Sequence, residues 1–388
     1  MMLNYECNED CFAKTRHVKS IPLYGNEAYV KAPLFTILIP TYRRLDTFRE
    51  ALRSVLKQWH VPFMWEILVV DNEPYAGVAN TTEEFIEKLN NKRIRYYRNS
   101  ENLRPADNFN RGFLLARGKW VMMLHDDDIL LPNALHNMYN VLTALSKVTT
   151  KPIGAISVKY HQFRDGKKEI YRKELKEKEQ LYTSQDTNYG MYELTHHNIL
   201  FLENIGGDVP SNGATYLRQA VLEMGGFNED FGISGDLILY YCLENKYAVF
   251  STTVPYGFYR WGSNSMSKPE KIYDVIQFHH DFRQYVYAKN WKNKLWGRIF
   301  GTCQHYRFCV DVLKLQKHGT GRTLPLSQVE QIESLNINRR LYAVYTLIIR
   351  PLYLKYKIWK IGRLYQRIVK VFGSQMQYGV CLDTRGMK

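Results

Sequence analysis

The sequence predicts an α/β fold: a mostly parallel sheet with helices on both faces, followed by a helical C-terminal extension. Strand-like and helix-like segments alternate through the first part of the chain, whereas the last third shows mostly helical spacing. Alternation of this kind is typical of parallel sheets, because each helix returns the chain to the start of the next strand. The 388 residues, 45% of them hydrophobic, are enough for one large domain and an appendage.

Four short apolar runs predict the strands. LFTILIP at 34–40 ends in proline and is followed by RLDTFREALRSVLKQ, whose apolar residues have helical spacing. The alternation then continues with the strand WEILVVD (65–71) and the helix TTEEFIEKLN, the strand IRYYR (94–98) and the helix ADNFNRGFLLARG, and the strand KWVMML. The carboxyl ends of such strands are where α/β sheets bind their ligands.

Three consecutive aspartates, Asp126, Asp127 and Asp128, follow the fourth strand, with apolar residues on both sides. Packed carboxylates repel one another and raise each other's pKa unless a cation compensates. Oxygen ligands suit Mg²⁺ or Mn²⁺, and these ions suit a diphosphate. The position therefore favours a Mn²⁺ or Mg²⁺ site over a solvated acidic turn.

The charge balance favours anionic partners, because the chain has 53 Lys and Arg but only 38 Asp and Glu, which gives a net charge of +15. Much of the excess lies at 339–372, a stretch without acidic residues in which basic side chains lie opposite an aromatic and aliphatic helical face. This pattern predicts peripheral attachment to an anionic membrane surface and argues against nucleic acid. A helix that packs on the main domain is the alternative.

The ends of the chain and the cysteines indicate the compartment. The N-terminus lacks the features of a secretory signal, and no apolar run approaches the roughly 20 residues of a spanning helix. Six cysteines without a regular framework predict reduced thiols in the cytoplasm. Cys7 and Cys11 have no second pair nearby, so the spacing argues against a zinc site.

Several segments, in order and spacing, resemble family 2 glycosyltransferases, which have a GT-A type nucleotide-sugar-binding fold. The resemblance covers about residues 34–265 and rests on TILIPTYRRLDTFREALRSVLKQ, EILVVDN, NLRPADNFNRGFLLARGKWVMMLHDDDILLP and GGFNEDFGISGDLIL. It implies inverting, metal-dependent transfer of a sugar from a nucleotide-diphospho-sugar, with a UDP-sugar as the expected donor, to an acceptor hydroxyl.

The resemblance also implies residues that contact the donor. These are Pro40, Thr41, Tyr42 and Arg43 after the first strand, Asp71 after the second, Asn108 and Asn110 in the third helix, Asp126, and Arg260 at the diphosphate. Structural roles are the alternatives: a helix cap or turn for Asp71, helix-start polarity for the two asparagines, and a surface salt bridge for Arg260.

For the metal and the chemistry, the resemblance implies Asp127 as the central ligand, flanked by Asp128. His125 is either a further ligand or only a polar strand end. Asp236 matches the general base that takes the proton from the acceptor hydroxyl, with a helix N-cap as the alternative. Glycines stand at 235 and 262, where the family often has a glutamate and a histidine.

The predicted organisation is an N-terminal extension (1–33), a catalytic domain (34–270) with a polar insertion at 160–200 as a candidate acceptor flap, and a helical region (271–388). The basic tail predicts the cytoplasmic face of a membrane, where a lipid-linked saccharide for surface polysaccharide would be the acceptor. Two alternatives stay open. A sugar-phosphate nucleotidyltransferase would need a glycine-rich loop after the first strand, and IPTYRRLD contains no glycine. An inactive membrane-surface binding protein would leave Asp127 and Asp236 unexplained.

Overall fold

The computed structural model describes residues 5–7, 9–25, 31–147, 149–164, 191–194, 211–261, 270–289, 291–317, 325–352, 355 and 359. The chain divides into two compact units. The sheet unit comprises Glu6–Leu194, Val209–Trp261 and Leu364–Lys388, and the helical unit comprises Met1–Tyr5, Thr195–Asp208 and Gly262–Arg363.

The described strands of the sheet unit form one sheet. They are β1 (Ser20–Tyr24), β2 (Phe35–Thr41), β3 (Trp65–Asp71), β4 (Ile94–Asn99), β5 (Trp120–Met123), β6 (Ile129–Leu130), β7 (Ile153–Arg164), β8 (Met191–Glu193), β9 (Thr215–Leu217) and β10 (Ala248–Trp261). Their order is β1-β4-β3-β2-β5-β9-β7-β10-β6, with β8 also paired to β10.

The predicted α/β fold is confirmed, and its parallel part lies where the sequence placed it. β4, β3, β2 and β5 run parallel side by side, and β7 runs parallel to β10. Antiparallel strands complete the sheet at β1, β6, β8 and β9. The sequence did not predict β1, which lies within the 1–33 extension and pairs with β4 at the edge.

The sheet unit carries six described α-helices. They are α1 (Leu45–Leu56), α2 (Thr81–Leu89), α3 (Pro105–Leu115), α4 (Ala134–Leu145), α5 (Arg218–Glu223) and α6 (Gly235–Leu243), with 3₁₀ turns at Cys11–Thr15 and Glu229–Ser234. Local chemistry sets the helix starts, since Asn80 Oδ1 accepts from Glu83 N at α2 and Pro105 occupies the first turn of α3.

Helices cover both faces of the sheet, as predicted. Alternate side chains of a strand point to opposite faces. Phe35 and Ile37 of β2 therefore join one core cluster with Phe48 of α1, Ile86 of α2 and Leu135 of α4. On the other face α3 approaches closely, because a Cβ on Gly112 would lie only 2.4 Å from Leu38 Cδ2.

The helical unit contains α7 (Glu270–Ala288), α8 (Trp291–Lys317), α9 (Leu326–Glu333) and α10 (Arg339–Val344), which continues into a π-helical turn at Tyr345–Ile349. Tyr345 is 2% exposed and its ring lies 5.9 Å from that of Phe300 in α8. Ile348 and Leu352, by contrast, are 54% and 59% exposed. Of the predicted apolar face, Tyr345 therefore packs inside the helical unit, whereas Ile348 and Leu352 are exposed to solvent. None of the described helices is both long and apolar enough to cross a bilayer.

Parts of two predicted segments lie outside the described residues. Within the 160–200 insertion, residues 160–164 end β7 and 191–193 form β8. Of the rest of the insertion only residue 194 is described. Most of the tail beyond residue 352 is likewise outside the described part of the chain. The acceptor flap and the distal part of the basic stretch at 339–372 stay predictions.

The prediction of reduced thiols is wrong for one pair, since Cys7 and Cys242 form a disulfide with Cα atoms 5.3 Å apart. The partners are separated by 235 positions, so no local spacing could reveal them. Cys11, Cys303 and Cys309 are free and buried. Because Cys7 is bonded to Cys242, the Cys7–Cys11 spacing is not that of a zinc-binding thiolate pair.

Candidate functional site

The carboxyl ends of the parallel strands gather the predicted site residues. Thr41 of β2 lies in register with Asp71 of β3, and both are the last residues of their strands. The acidic turn at 125–128 follows β5, the other neighbour of β2. The sequence-based placement of the aspartates at this edge of the sheet is therefore confirmed.

Asp126 is buried beneath the loop that follows β2. Its Oδ2 accepts hydrogen bonds from Thr41 Oγ1 at 2.8 Å and from Tyr42 N at 3.4 Å. Burial, followed by the neighbouring charge of Asp127, raises the pKa of the Asp126 carboxyl to about 6; Arg44 and the two hydrogen bonds act in the opposite direction. Asp126 thus anchors the predicted nucleotide loop to the acidic turn.

Asp127 lies beside Arg44, a residue that was not predicted from the sequence to belong to the site. Arg44 Nη1 lies 2.9 Å from Asp127 Oδ2 and 3.5 Å from Asp126 Oδ1. The Arg44 side chain is 40% exposed, whereas both carboxylates are buried. Arg44 directly follows the predicted donor loop, and this position next to Arg43 is the sequence feature that could have identified it as a site residue. Its guanidinium partly compensates the charge of the turn.

Asp128 is fully buried and held at both oxygens. Oδ1 accepts from the backbone N–H of Arg260 at 2.7 Å, and Oδ2 accepts from Asn212 Nδ2. Asn212 Oδ1 also accepts from His125 N at 3.0 Å, so one amide joins both ends of the turn. Burial, then the charge of Asp127, raises the pKa of Asp128 well above its ordinary value. Asn212 was not among the site residues predicted from the sequence.

A glycine lets the chain turn beside Asn212. Gly213 has a φ of +63°, and a Cβ there would lie 1.5 Å from Tyr160 Oη. A side chain would therefore meet both backbone strain and a direct clash. This explains how Asn212 can approach the acidic turn so closely, and it was visible in the sequence only as the dipeptide Asn-Gly.

The geometry of the turn fits a divalent cation. A ring nitrogen of His125 and carboxylate oxygens of Asp127 and Asp128 lie within 4.8 Å of one another. His125 Nε2 is buried and has no hydrogen-bond partner among the described residues. Burial lowers the pKa of His125, which favours the neutral imidazole that can bind a metal. The donor set is therefore one nitrogen and two carboxylates.

Arg260 stabilises the acidic turn by hydrogen bonds from its backbone and its side chain. It is 3% exposed, its Nε donates to Asp127 O at 2.7 Å, and its Nη2 lies 2.5 Å from Glu50 Oε2. Arg260 therefore forms a salt bridge, as the structural alternative expects, but a partly buried one: β10 carries Arg260 into the interior, and Glu50 of α1 is 30% exposed. A contact with the donor diphosphate stays a prediction.

Three other predicted donor contacts are engaged within the fold. Asp71 accepts from Glu73 N, Asn80 Nδ2 and Tyr96 Oη at 2.8–2.9 Å, and burial raises the pKa of its carboxyl. Asn108 bonds Asn99 Nδ2 and Val70 O; Asn110 clamps both backbone groups of Phe227 at 2.8 Å. The bond from Glu73 N fits the turn alternative for Asp71, whereas the two asparagines bond groups distant in sequence rather than the start of their helix. Donor contacts by all three residues stay predictions.

The remaining loop residues differ in access. Pro40 is buried at the end of β2, while Tyr42 and Arg43 are exposed. Arg43 has a φ of +52°, and its Nε donates to Glu73 Oε1 at 2.9 Å. The guanidinium carbon also lies 5.3 Å from the Tyr42 ring centroid. Tyr42 and Arg43 are thus the residues of this loop that a ligand can reach from solvent.

Asp236 lies in the first turn of α6. The N-cap position is Ser234, so the N-cap alternative for Asp236 is wrong by two residues. Asp236 Oδ2 accepts from Ser211 N at 3.0 Å, and Oδ1 accepts from Leu237 N at 2.8 Å. Ser211 precedes Asn212, so one dipeptide contacts Asp236 on one side and the acidic turn on the other.

Comparisons with known proteins show which proteins this chain is similar to. The family model for Glycosyl transferase family 2 matches residues 36–204. The putative colanic acid biosynthesis glycosyl transferase WcaA of Escherichia coli is 31% identical over 103 residues, which cover 26% of this chain and 36% of the relative. The succinoglycan biosynthesis protein ExoO of Rhizobium meliloti is 31% identical over 108 residues, 28% of this chain and 29% of the relative. The chain thus matches about a third of the length of these relatives.

A solved structure shares the fold. Residues 1–349 of TarS from S. aureus, in complex with UDP-GlcNAc, superpose with a TM-score of 0.50 at 16% sequence identity. The match covers 88% of this chain and 92% of that chain.

The raised pKa of Asp126 predicts how stability depends on pH in chelator-treated protein. Its folded-state pKa of about 6 lies above the ordinary 3.8, so protonation of Asp126 stabilises the folded state. This stabilisation decreases as the pH rises above 3.8 and is lost once the pH has passed about 6. Asp126→Asn removes this loss. Relative to the parent, the variant should therefore gain up to about 3 kcal/mol between pH 4 and pH 7.

Urea unfolding at a series of pH values measures this difference. Asp46→Asn serves as the control, because the Asp46 side chain is 98% exposed; its difference from the parent should stay flat. A flat profile for Asp126→Asn as well would show that Asp126 titrates normally in the folded protein.

Proposed function

Residues 36–204 match the family model for glycosyl transferase family 2, and we propose that the chain is a metal-dependent, inverting glycosyltransferase of this family. It moves a sugar from a nucleotide-diphospho-sugar to an acceptor hydroxyl. The observation that carries the proposal is the group of His125, Asp127 and Asp128 at the carboxyl ends of parallel strands. A UDP-sugar is the proposed donor, in line with the ligand of the TarS structure that shares this fold.

The acidic turn and the loop after β2 form the donor site. Mn²⁺ or Mg²⁺ bound by His125, Asp127 and Asp128 would neutralise the charge that develops on the departing nucleoside diphosphate. Asp126 holds the loop in place through Thr41, and the exposed Tyr42 and Arg43 face incoming nucleotide. Arg44, already paired with Asp127, supplies a second positive charge close to the diphosphate.

Asp236 is the proposed general base. An inverting displacement needs a base on the side of the sugar opposite the leaving group, and a carboxylate within hydrogen-bond reach of the acceptor hydroxyl suffices. The backbone N–H groups of Ser211 and Leu237 donate to the Asp236 carboxylate and fix its position. Ser211 and Asn212 are adjacent, and Asn212 donates to Asp128. The same dipeptide therefore positions both the proposed base and the proposed metal ligands.

Asp127→Ala tests the metal group. The variant should lose Mn²⁺- or Mg²⁺-dependent hydrolysis of UDP-sugars to background, because the central carboxylate that would bind the ion is gone. Release of UDP, followed with and without chelator, is the measurement. The matched control is Asp46→Ala, an exposed acid in α1, which should retain parental rates. Metal-dependent turnover that survives in Asp127→Ala would refute the assignment.

Asp236→Asn tests the base. Transfer to an added acceptor should fall by roughly 10²-fold or more, the usual scale for a lost general base, while UDP binding stays unchanged. Calorimetric titration with UDP separates the two effects. If the variant instead fails to bind UDP, Asp236 supports the donor site and a different group must take the proton.

The proposed acceptor is a lipid-linked saccharide at the cytoplasmic face of a membrane, in the synthesis of capsule, O-antigen or lipooligosaccharide. The names of the relatives WcaA and ExoO, both concerned with polysaccharide biosynthesis, support this class. The net charge of +15 and the exposed apolar residues Leu347, Ile348 and Leu352 support the membrane surface.

Sedimentation with vesicles tests that location. Binding to anionic phosphatidylglycerol vesicles should be strong at low salt and should weaken as salt rises, because each basic residue near the surface contributes about 1 kcal/mol that salt screens. A chain truncated after residue 335 should stay in the supernatant. Equal sedimentation of both forms would assign the tail a purely structural role.

A further inference from the structure

The N-terminal segment, residues 9–16, packs against the loop that leads into α6. The backbone N–H of Cys11 donates to Gly225 O at 3.0 Å. A Cβ on Gly225 would collide with the backbone oxygen of Glu9, and Gly225 has a φ of +81°. Glycine at this position therefore allows the N-terminal segment to approach the loop backbone directly.

The polar contacts between the N-terminal segment and this loop are partly exposed. Lys14 Nζ lies 2.7 Å from Glu9 Oε1 and 3.2 Å from Asp230 Oδ2, and these side chains are 30–49% exposed. Asn228 Nδ2 donates to Glu9 Oε2 at 2.7 Å. Exposed ion pairs contribute little to stability because solvent screens them. These pairs therefore orient the segment but hold it only weakly.

A disulfide adds a covalent attachment. Cys7, two residues before Glu9, is bonded to Cys242, which lies in α6. The first turn of the same helix carries Asp236, the proposed general base. At 1.5 Å per residue, Cys242 lies about 9 Å from Asp236 along the helix axis. The bond therefore connects the start of the chain to the helix that positions Asp236.

The two partners of the disulfide differ in exposure. Cys242 is 6% exposed, whereas Cys7 is half-buried. A thiolate opens a disulfide by attacking one of its sulfur atoms, and access influences which sulfur reacts. Cys7 is therefore the partner that an external thiol reaches first. In the proposed cytoplasmic location the bond meets a reducing thiol pool, and disulfides that occur there are usually transient and redox-sensing.

We propose that Cys7 and Cys242 form a reversible redox switch that acts on the transfer step. In the disulfide form, the N-terminal segment is held on α6 and on the loop at 225–230, which keeps Asp236 in position. In the dithiol form, the segment is held only by its weaker contacts, Asp236 is less well ordered and transfer slows. The cysteines are positioning residues that act through Asp236, so the inference rests on the proposed function.

Reduction of the switch uses a dithiol as the electron donor. The thiolate of the dithiol attacks Cys7 Sγ, the bond to Cys242 breaks, and Cys242 leaves as a thiolate that takes up a proton. The second thiol of the reductant attacks the mixed disulfide and releases Cys7 as a thiol. The protein disulfide is thereby reduced while the dithiol becomes a disulfide. Oxidised glutathione reverses this exchange and is itself reduced to glutathione.

Thiol labelling of the full-length protein tests whether the pair opens and closes. After treatment with oxidised glutathione, mass spectrometry should find Cys7 without a label from N-ethylmaleimide and without a glutathione adduct. After dithiothreitol, and its removal, Cys7 should be labelled without denaturant. A labelled or glutathione-bound Cys7 in the oxidised sample, or an unlabelled Cys7 in the reduced one, would overturn the inference.

Transfer kinetics measure the consequence for the reaction. Dithiothreitol should lower the kcat for transfer to an added acceptor by roughly tenfold, because a small misplacement of a catalytic group is costly. Oxidised glutathione should restore the rate. The KM for the UDP-sugar should stay unchanged, since Asp236 is proposed to act on the acceptor. Cys7→Ser is the matched control: its kcat should equal that of the reduced parent and should not respond to dithiothreitol.

Hydrogen exchange separates failure of the switch from failure of the proposed base. Reduction should raise amide exchange in residues 9–16 and in the loop at 225–230, because both lose the covalent attachment. An active enzyme whose kcat is the same in both redox states overturns the inference and leaves the proposed function intact, whether or not exchange rises. Absence of transfer in both redox states, with exchange that rises on reduction, overturns the proposed function and with it the effect on catalysis.

Discussion

Three carboxylates share one buried turn, and their mutual repulsion constrains much of the structure around them. Asp126, Asp127 and Asp128 follow β5 at the edge where β2 and β3 also end. Burying like charges together is unfavourable unless hydrogen bonds and cations compensate. The residues that supply this compensation come from distant parts of the chain, so the turn depends on the tertiary fold around it.

The compensation is unequal, and this gives each aspartate a distinct role. Asp126 is tied to Thr41 and Tyr42, and Asp128 to Asn212 and the Arg260 backbone. Asp127 faces Arg44, whose side chain is 40% exposed. A guanidinium that reaches solvent can yield its place to an incoming cation at modest cost, whereas buried hydrogen bonds cannot. Asp127 is for this reason the carboxylate best placed to exchange partners when a donor binds.

Local periodicity was sufficient for the centre of the fold. The spacing of apolar residues predicted β2 to β5 and α1 to α3, because strands and amphipathic helices have short, regular repeats. The position of the aspartates followed from the rule that parallel strands end at one edge. The antiparallel strands β1 and β9 and the Cys7–Cys242 disulfide were not predictable in this way, since they depend on contacts between residues far apart in sequence.

The candidate site shows the same division. Asp126, Asp127, Asp128 and His125 were found because they are adjacent in sequence. Asn212 was missed because it reaches His125 across 87 positions and sits in no recognisable motif. Asn110 matched a family pattern, but its amide clamps the backbone of Phe227. A motif identifies which residues are present, whereas only the fold shows whether a side chain is still available to a ligand.

Anomalous scattering from crystals grown with MnCl₂ and UDP locates the ion and therefore tests whether the acidic turn binds it. We expect one strong manganese peak within bonding distance, about 2.0–2.6 Å, of carboxylate oxygens of Asp127 and Asp128, with the Arg44–Asp127 pair opened. A peak elsewhere, or bound UDP beside an intact Arg44–Asp127 pair with no manganese at the turn, would contradict it.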